Sequence, residues 1–172
     1  MRPQRIAVVS TASACGKTTL GRALAGKLGA PFVELDALVH GPGWAEIPDG
    51  DLRAALAPVI AGERWVVDGN YRRKVGDIVL SRADLVVWLD LPLRVWLPRL
   101  VWRTLKRGVT REVLWNGNRE SLRGAVWGRD SLFGYALLTH RSRRAEWPAA
   151  LAPYRHVRLS SPREVDRFLR DF

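Results

Sequence analysis

The sequence predicts a three-layer α/β domain in which helices cover both faces of a five-stranded parallel sheet. Short apolar runs rich in β-branched residues alternate along the chain with segments of helical periodicity. Runs such as WVV and DLVVWLD are continuously apolar rather than alternating, as expected for strands that are buried on both faces. In open sheets of this kind ligands bind beyond the carboxyl ends of the strands, so functional residues are expected there.

The first strand and helix enclose a loop with a recognisable pattern. The run RIAVVS at residues 5–10 predicts a strand, and apolar residues at helical spacing predict a helix that ends at Gly29. Between them, Gly16, Lys17 and Thr18 fit the end of the phosphate-binding pattern G-x-x-x-x-G-K-[ST]. The alternative is an ordinary strand, turn and helix with a chance G-K-T-T.

Two positions of this loop depart from the pattern. Thr11 stands where the first glycine belongs, and Ala14 occupies a second position that is often glycine. A left-handed residue other than glycine costs about 1 kcal/mol, so both positions are expected to strain or shift the turn without abolishing it. We interpret the segment as a degenerate phosphate loop of the P-loop NTPase fold, with seven candidate nucleotide-binding residues: Ser13, Ala14, Cys15, Gly16, Lys17, Thr18 and Thr19.

The remaining elements follow at intervals typical of βα units. Four further strands are predicted at about residues 31–35, 64–68, 84–89 and 156–160, and a last helix at about 163–170. The long segment 91–155 predicts two or three helices as an insertion within a single domain that spans residues 1–172. Polar turns are expected in that segment at three places: Gly108, residues 116–118 and Gly128.

Composition limits the class of protein. A chain of 172 residues can bury a sizeable core, and its one cysteine excludes an internal disulfide. The longest apolar stretch is interrupted by charged residues and prolines, so the sequence predicts no membrane span and a cytoplasmic location. The net charge of +11 is concentrated in residues 91–144, which carry eleven arginines and Lys106 against three acidic residues. Such a block suits polyphosphate ligands, nucleic acid, an acidic partner or a solvated helix face.

An acidic residue ends the third predicted strand. Asp68 opens the run D-G-N-Y-R, opposite the phosphate loop, where a carboxylate can hold the water shell of Mg²⁺ while Thr18 supplies a hydroxyl ligand. At this run the chain resembles the nucleoside monophosphate kinase and shikimate kinase group, since adenylate kinases carry D-G-F-P-R here. The resemblance implies that Arg72 holds a phosphate of the acceptor. Alternatively, Asp68 caps the next helix and Arg72 is a surface residue.

The second predicted strand is followed by Asp36, His40 and Trp44 in a loop rich in glycine and proline. Kinases of this group place an acceptor-binding acid after that strand, which implies an acceptor site at Asp36, Trp44 and Arg72. Over nearly the whole chain, including LWNGNRESLR and SPREVDRFL, the sequence most resembles adenylate-kinase-like DNA topology modulation proteins. The alternatives are that Asp36 is a helix N-cap, that Trp44 is a core residue and that His40 is an incidental loop residue.

The insertion supplies candidate lid residues. Arg99, Arg103, Arg107 and Arg111 recur at steps of four, which places them on one helix face. Kinases of this group carry a mobile arginine-bearing lid at this place, so the resemblance implies catalytic roles for Arg119 and Arg123 beside Lys17 and Asp68. The tryptophans among them could stack nucleobases, although core packing explains them as well: Trp96, Trp102, Trp115 and Trp127.

Two functions follow from these patterns. The first is an ATP-dependent phosphotransferase that uses ATP and Mg²⁺ and acts on a small hydroxyl- or phosphate-bearing acceptor, whose identity stays open. The second is a nucleotide-dependent nucleic-acid-binding protein, in which the arginine block grips a backbone. The positive environment of the phosphate loop is further expected to lower the pKa of Cys15 and make its thiol reactive.

Overall fold

Five parallel strands form one sheet in the order β2-β3-β1-β4-β5 in the computed structural model, which describes residues 2–119 and 132–172. The strands lie within a residue or two of the predicted positions: β1 Arg5–Ser10, β2 Phe32–Glu34, β3 Trp65–Asp68, β4 Leu85–Leu89 and β5 His156–Leu159. The predicted three-layer α/β fold is thereby confirmed.

Seven helices in the described parts of the chain accompany the sheet. They are α1 Lys17–Leu28, α2 Leu35–Val39, α3 Asp49–Ile60, α4 Arg72–Val75, α5 Leu93–Thr110, α6 Leu132–Leu151 and α7 Pro162–Asp171. Helix α1 ends where it was predicted, because Gly29 adopts the left-handed conformation (φ 57°) that closes a helix. None of the described helices combines the length and the hydropathy that crossing a membrane requires.

Two hydrophobic clusters, one on each face of the sheet, explain the continuous apolar strands. Along β1, Ile6 and Val8 pack into one cluster, whereas Ala7 and Val9 pack into the other. The first cluster is completed by α1, α5 and α7, and the second by α3 and the end of α6. A strand with a helix layer on either side favours apolar residues at consecutive positions, as in residues 6–9 of β1, residues 65–67 of β3 and all of β4.

The insertion between β4 and β5 contains α5 and α6. The turn predicted near Gly108 is wrong, because α5 continues to Thr110 and ends at Arg111, which is left-handed (φ 49°). The turn predicted at residues 116–118 is present as a 3₁₀ turn, Trp115–Gly117. The turn predicted near Gly128 lies outside the described residues. Helix α6 is tied to the sheet by Arg144, whose Nε lies 3.4 Å from the buried carboxylate of Asp90 at the end of β4.

Candidate active site

The phosphate loop joins β1 to α1 at the carboxyl end of the sheet. Gly16 adopts φ 91° directly before α1, and the amide of Leu20 donates to its carbonyl oxygen at 3.0 Å. The loop lines a cleft of about 2020 Å³ together with the first turn of α1. The amide groups of a helix's first turn have no partners within the helix, so this N-terminus presents donors and positive charge to an anion.

The two positions that lack glycine behave differently. Ala14 is left-handed at φ 58°, as expected of a residue that strains the turn. Thr11 does not have a positive φ; it is fully buried, and its amide donates to the carbonyl oxygen of Leu89 at 3.1 Å. The expectation of strain at Thr11 is therefore wrong, because this residue extends the contact between β1 and β4.

Asp68 lies at the end of β3, opposite Val8 of β1, and its side chain is fully buried. Neither carboxylate oxygen accepts a hydrogen bond from the residues that the structure describes. Burial raises the pKa of Asp68 to about 6, and the positive charge of Lys17 acts in the opposite direction. The geometry rules out a helix-capping role for Asp68, since a cap requires an oxygen that is hydrogen-bonded to the helix.

Glu34 and Thr18 complete the polar group at the loop. The Thr18 hydroxyl donates to Glu34 Oε1 at 3.1 Å, and Arg22 lies 3.3 Å from the other oxygen of Glu34. The negative charge of Glu34 also raises the pKa of Asp68. Two carboxylates and a hydroxyl next to this loop are oxygen groups of the kind that Mg²⁺ prefers.

These residues fit a magnesium ion that arrives with a nucleotide better than a permanently held metal. In the described residues no group of three or more His, Cys, Asp or Glu side chains is arranged to hold a metal ion. Among the described residues, only Lys17 and, more weakly, the Thr18 hydroxyl favour the charged form of the buried Asp68 carboxylate, and neither outweighs its burial. A cation bound to phosphates above Thr18 would supply a further partner for that charge.

A second polar group lies at the ends of β2 and β3. Asp36 belongs to the first turn of α2, and its Oδ1 accepts a hydrogen bond of 2.6 Å from the hydroxyl of Tyr71. The same hydroxyl lies 3.1 Å from Nε2 of His40. Asp36 does not cap α2, because Glu34 occupies the N-cap position and no side chain makes a capping bond there.

Trp44 forms one wall of the cleft and is 37% exposed, so it is not a core residue. Its backbone amide donates to Asn118 Oδ1 at 3.0 Å, and Asn118 Nδ2 donates to the carbonyl oxygen of Gly41 at 2.8 Å. Asn116 Nδ2 donates to the carbonyl oxygen of His40 at 2.6 Å. The part of the insertion that follows α5 is thereby bound to the loop after α2.

The predicted arginines occupy different surroundings. Arg72 lines the cleft, but its guanidinium is paired with Asp77 on an exposed surface. Arg119 also lines the cleft, and its carbonyl oxygen accepts a bond from the Trp44 indole at 3.4 Å. Arg123 lies outside the described residues. Three arginines of α5 line the same cleft: Arg99, Arg103 and Arg107. Arg111 does not belong to its lining.

Cys15 contradicts the expectation of a reactive thiol. It is only 3% exposed, and burial raises its pKa, although Lys17 acts in the opposite direction. Cys15 belongs to the apolar cluster that also contains Leu20 and Leu91. Burial at the base of the loop thus outweighs the charge of the neighbouring lysine.

The tryptophans of the insertion divide between core and surface. Trp96 is fully buried in the first apolar cluster, whereas Trp102 is 70% exposed. The ring of Trp115 stacks against that of His40 with centroids 6.2 Å apart. Trp127 lies outside the described residues. Of the three tryptophans that the structure describes, core packing accounts for Trp96, and Trp115 instead forms part of the cleft wall.

Sequence reasoning missed the residues that connect the predicted ones. Tyr71 differs from the adenylate kinase pattern D-G-F-P-R, which has proline at this position, and no local pattern assigns a role to Glu34 or His40. The two asparagines of the N-G-N run, Asn116 and Asn118, predict only a turn. Their partners lie about 75 residues away along the chain, so no local pattern announces these contacts.

The sheet order and the phosphate loop after its central strand β1 together define the P-loop kinase fold. No protein-family model matches the chain. The chain is similar to shikimate kinases of Synechococcus elongatus and of a second Synechococcus strain, at 30% identity over 128 residues. The match covers 61% of this chain and 66% of the length of those relatives.

Solved structures support the same fold. The shikimate kinase of Bacteroides thetaiotaomicron superposes with a TM-score of 0.59 at 18% identity, covering 99% of this chain and 96% of that one. The gluconokinase of Sinorhizobium meliloti gives a TM-score of 0.54 at 24% identity, covering 98% and 93%. At such identities the likeness concerns the fold alone.

Proposed function

We propose that this protein is an ATP-dependent kinase that transfers a phosphoryl group from MgATP to a hydroxyl of a small acceptor. The observation that carries this proposal is the carboxylate of Asp68, which is buried beside Lys17 with both oxygens lacking a hydrogen-bond partner among the described residues. A buried charge of this kind is costly unless a cation compensates it. Bound MgATP brings such a cation to this place.

The phosphate loop holds the nucleotide in this proposal. Backbone amides of residues 13–19 surround the β-phosphate, and Lys17 reaches the outer phosphates. Thr18 and Asp68 would hold Mg²⁺, which would offset negative charge on the phosphates. Thr18 would have to release its hydrogen bond to Glu34 to do so, which would free the Glu34 carboxylate to accept other hydrogen bonds.

The acceptor lies in the cleft between Asp36, Trp44 and Arg72. Asp36 accepts a hydrogen bond from the hydroxyl that is to be phosphorylated, which orients that oxygen toward the phosphate loop. Similarity to shikimate kinases and the fold of a gluconokinase make polyhydroxylated carboxylic acids the first class to test. Arg72 would bind the acid group after exchanging its partner Asp77.

Arginines of the insertion act as a lid over the transferred group. Arg119 and Arg123 are the proposed catalytic members, with the three arginines of α5 that line the cleft behind them. Positive charge around a phosphoryl group in transit lowers the barrier to transfer. We retain one domain over residues 1–172, with the lid at about 91–155, as part of this proposal.

The closer resemblance to DNA topology modulation proteins stays a prediction, because the similar proteins found here are kinases of small molecules. Nucleic-acid binding is accordingly not part of the proposed function. Its signature would be an affinity that falls steeply with salt, since counterions are released from the backbone.

An acceptor screen tests the proposal. The protein is incubated with MgATP and with shikimate, gluconate, nucleosides or nucleoside monophosphates, and ADP release is measured alongside the mass of the product. We expect an acceptor that gains one phosphoryl group, and we expect Asp68→Asn to lower turnover by orders of magnitude while MgATP still binds. Asp51→Asn is the matched control, because Asp51 is exposed on α3.

Two results would contradict the kinase proposal. One is an absence of phosphorylated product from the whole panel although the protein binds MgATP. The other is equal turnover of Asp68→Asn and the parent, which would return Asp68 to a structural role.

A further inference from the structure

We propose that Tyr71 is a positioning residue for the phosphoryl acceptor: its hydroxyl holds one oxygen of Asp36 and leaves the other for the acceptor's hydroxyl. This inference rests on the kinase function proposed above. It assigns a role to the residue that replaces the proline of the adenylate kinase D-G-F-P-R pattern.

Tyr71 reaches Asp36 because the two residues follow adjacent strands. Strand β2 pairs with β3 so that Glu34 lies opposite Asp68, which places the segments after both strands side by side. Tyr71 stands immediately before α4, and its Oη lies 2.6 Å from Asp36 Oδ1. Within residues 2–119 and 132–172, Asp36 Oδ2 accepts no hydrogen bond.

The single proton of the Tyr71 hydroxyl determines the direction of these bonds. An ionised carboxylate only accepts, so Tyr71 donates to Asp36, and His40 must donate from Nε2 to the Tyr71 oxygen over their 3.1 Å contact. The chain of donors therefore runs from His40 through Tyr71 to Asp36. The other ring nitrogen of His40, Nδ1, is buried and has no hydrogen-bond partner among the described residues.

The surroundings keep the Tyr71 hydroxyl protonated and fixed. Burial raises the pKa of Tyr71, and the negative charge of Asp36 and their hydrogen bond raise it further. The ring packs edge-on against His40 with centroids 6.3 Å apart, and Trp44 and Trp115 hold the other sides of the His40 ring. An aromatic enclosure of this kind leaves Tyr71 as a permanent donor to Asp36.

Fixing one oxygen of Asp36 also fixes the direction of the other. A free carboxylate on a short side chain rotates and offers either oxygen, whereas a carboxylate held through Oδ1 keeps Oδ2 in one orientation at the cleft that Asp36 lines. Removal of the Tyr71 hydroxyl should therefore impair use of the acceptor and leave the phosphate loop intact. Loss of a hydrogen bond to a charged group corresponds to about a 10- to 100-fold change.

The first measurement needs no substrate. The chain has three tyrosines, so carbon labelling at Cζ of tyrosine gives three signals in an NMR spectrum at neutral pH. We expect Asp36→Asn and His40→Gln each to shift the Tyr71 signal, with the signals of Tyr135 and Tyr154 as internal references. An unchanged Tyr71 signal in Asp36→Asn would overturn the proposed contact.

The second measurement compares Tyr71→Phe, Asp36→Asn and the double variant, with shikimate and gluconate as acceptors. Tyr71→Phe keeps the ring and removes only the hydroxyl. We expect kcat/KM for the acceptor to fall about 10- to 100-fold, MgATP affinity to stay unchanged, and Tyr71→Phe to cause no further loss in the Asp36→Asn background. Such non-additivity distinguishes action through Asp36 from a structural role.

Additive losses, or a loss confined to MgATP affinity, would overturn the positioning role. If the parent phosphorylates neither shikimate nor gluconate, the kinase proposal fails for these acceptors and the positioning role falls with it. The NMR shift would then still decide whether Tyr71 and Asp36 are paired, so the two failures are distinguishable.

Discussion

Asp68 is the residue whose burial is hardest to explain without a bound cation. The ordinary pKa of an aspartate, 3.8, applies to the unfolded chain, whereas burial raises the pKa of Asp68 to about 6 in the folded protein. The folded state therefore holds this proton more tightly than the unfolded state. As pH rises through the interval between the two values, the folded protein loses stability that it had while Asp68 was protonated.

Asp68→Asn should accordingly stabilise the protein without nucleotide at about pH 8 and have little effect at about pH 4. A shift of this size corresponds to about 2 to 3 kcal/mol in the free energy of unfolding. Denaturant unfolding of both proteins at the two pH values measures the difference. A variant that is less stable than the parent at about pH 8 would show that the carboxylate has a stabilising partner.

The left-handed Ala14 allows the phosphate loop to be tested for strain. Ala14→Gly should raise the free energy of unfolding by about 0.5 to 1 kcal/mol, because glycine adopts φ 58° without a steric penalty. Thr11→Gly should lower it by about 1 kcal/mol or more, since Thr11 is buried without a positive φ. Denaturant unfolding of the pair checks both signs. A stabilising Thr11→Gly would mean that the loop is strained there after all.

At the scale of elements, the contact between the insertion and the loop after α2 shapes the acceptor site. Asn116 and Asn118 supply side-chain bonds to main-chain groups of that loop, and Trp115 stacks on His40. Side-chain amides can serve both a donor and an acceptor of an irregular loop, which aliphatic residues cannot do. Trp44 and Arg119 are brought to the same side of the cleft in this way.

Asn118→Ala should loosen this contact without unfolding the sheet. It removes the bond to the carbonyl of Gly41 and the one from the amide of Trp44, at a cost of about 1 to 3 kcal/mol in local stability. Hydrogen exchange at the Trp44 amide should become about 10-fold faster or more, whereas amides of β1 exchange as before. Asn118→Asp keeps the acceptor oxygen and should show the smaller effect at Trp44. Equal exchange in all three proteins would contradict the role of Asn118.

Over the whole molecule, the sequence predicted what short-range patterns encode. Continuous apolar runs located β1, β3 and β4, and the G-K-T run located the start of α1, because burial on both faces and helix periodicity leave local marks. The order of strands brought Asp36, Asp68 and the phosphate loop to one edge, as the fold class predicts.

What could not be predicted depends on contacts between distant segments. The hydroxyl of Tyr71 meets Asp36 from 35 residues away, and burial decides the state of the Cys15 thiol against the charge of its neighbour. The end of α5 was also missed, since a single glycine such as Gly108 weakens a helix without ending it, and α5 continues to Thr110. Neither burial nor long-range pairing leaves a mark in a short stretch of sequence.

Titration calorimetry of MgATP tests the central claim, that residues 11–18 form a phosphate site, most directly. The account predicts that the parent binds MgATP and that Lys17→Ala loses this binding with its free energy of unfolding nearly unchanged, because the lysine's charge serves the phosphates rather than the core. Lys27 is exposed in the last turn of the same helix, so the control variant Lys27→Ala should bind MgATP as tightly as the parent does. Binding of MgATP by Lys17→Ala as tightly as by the parent would contradict the account.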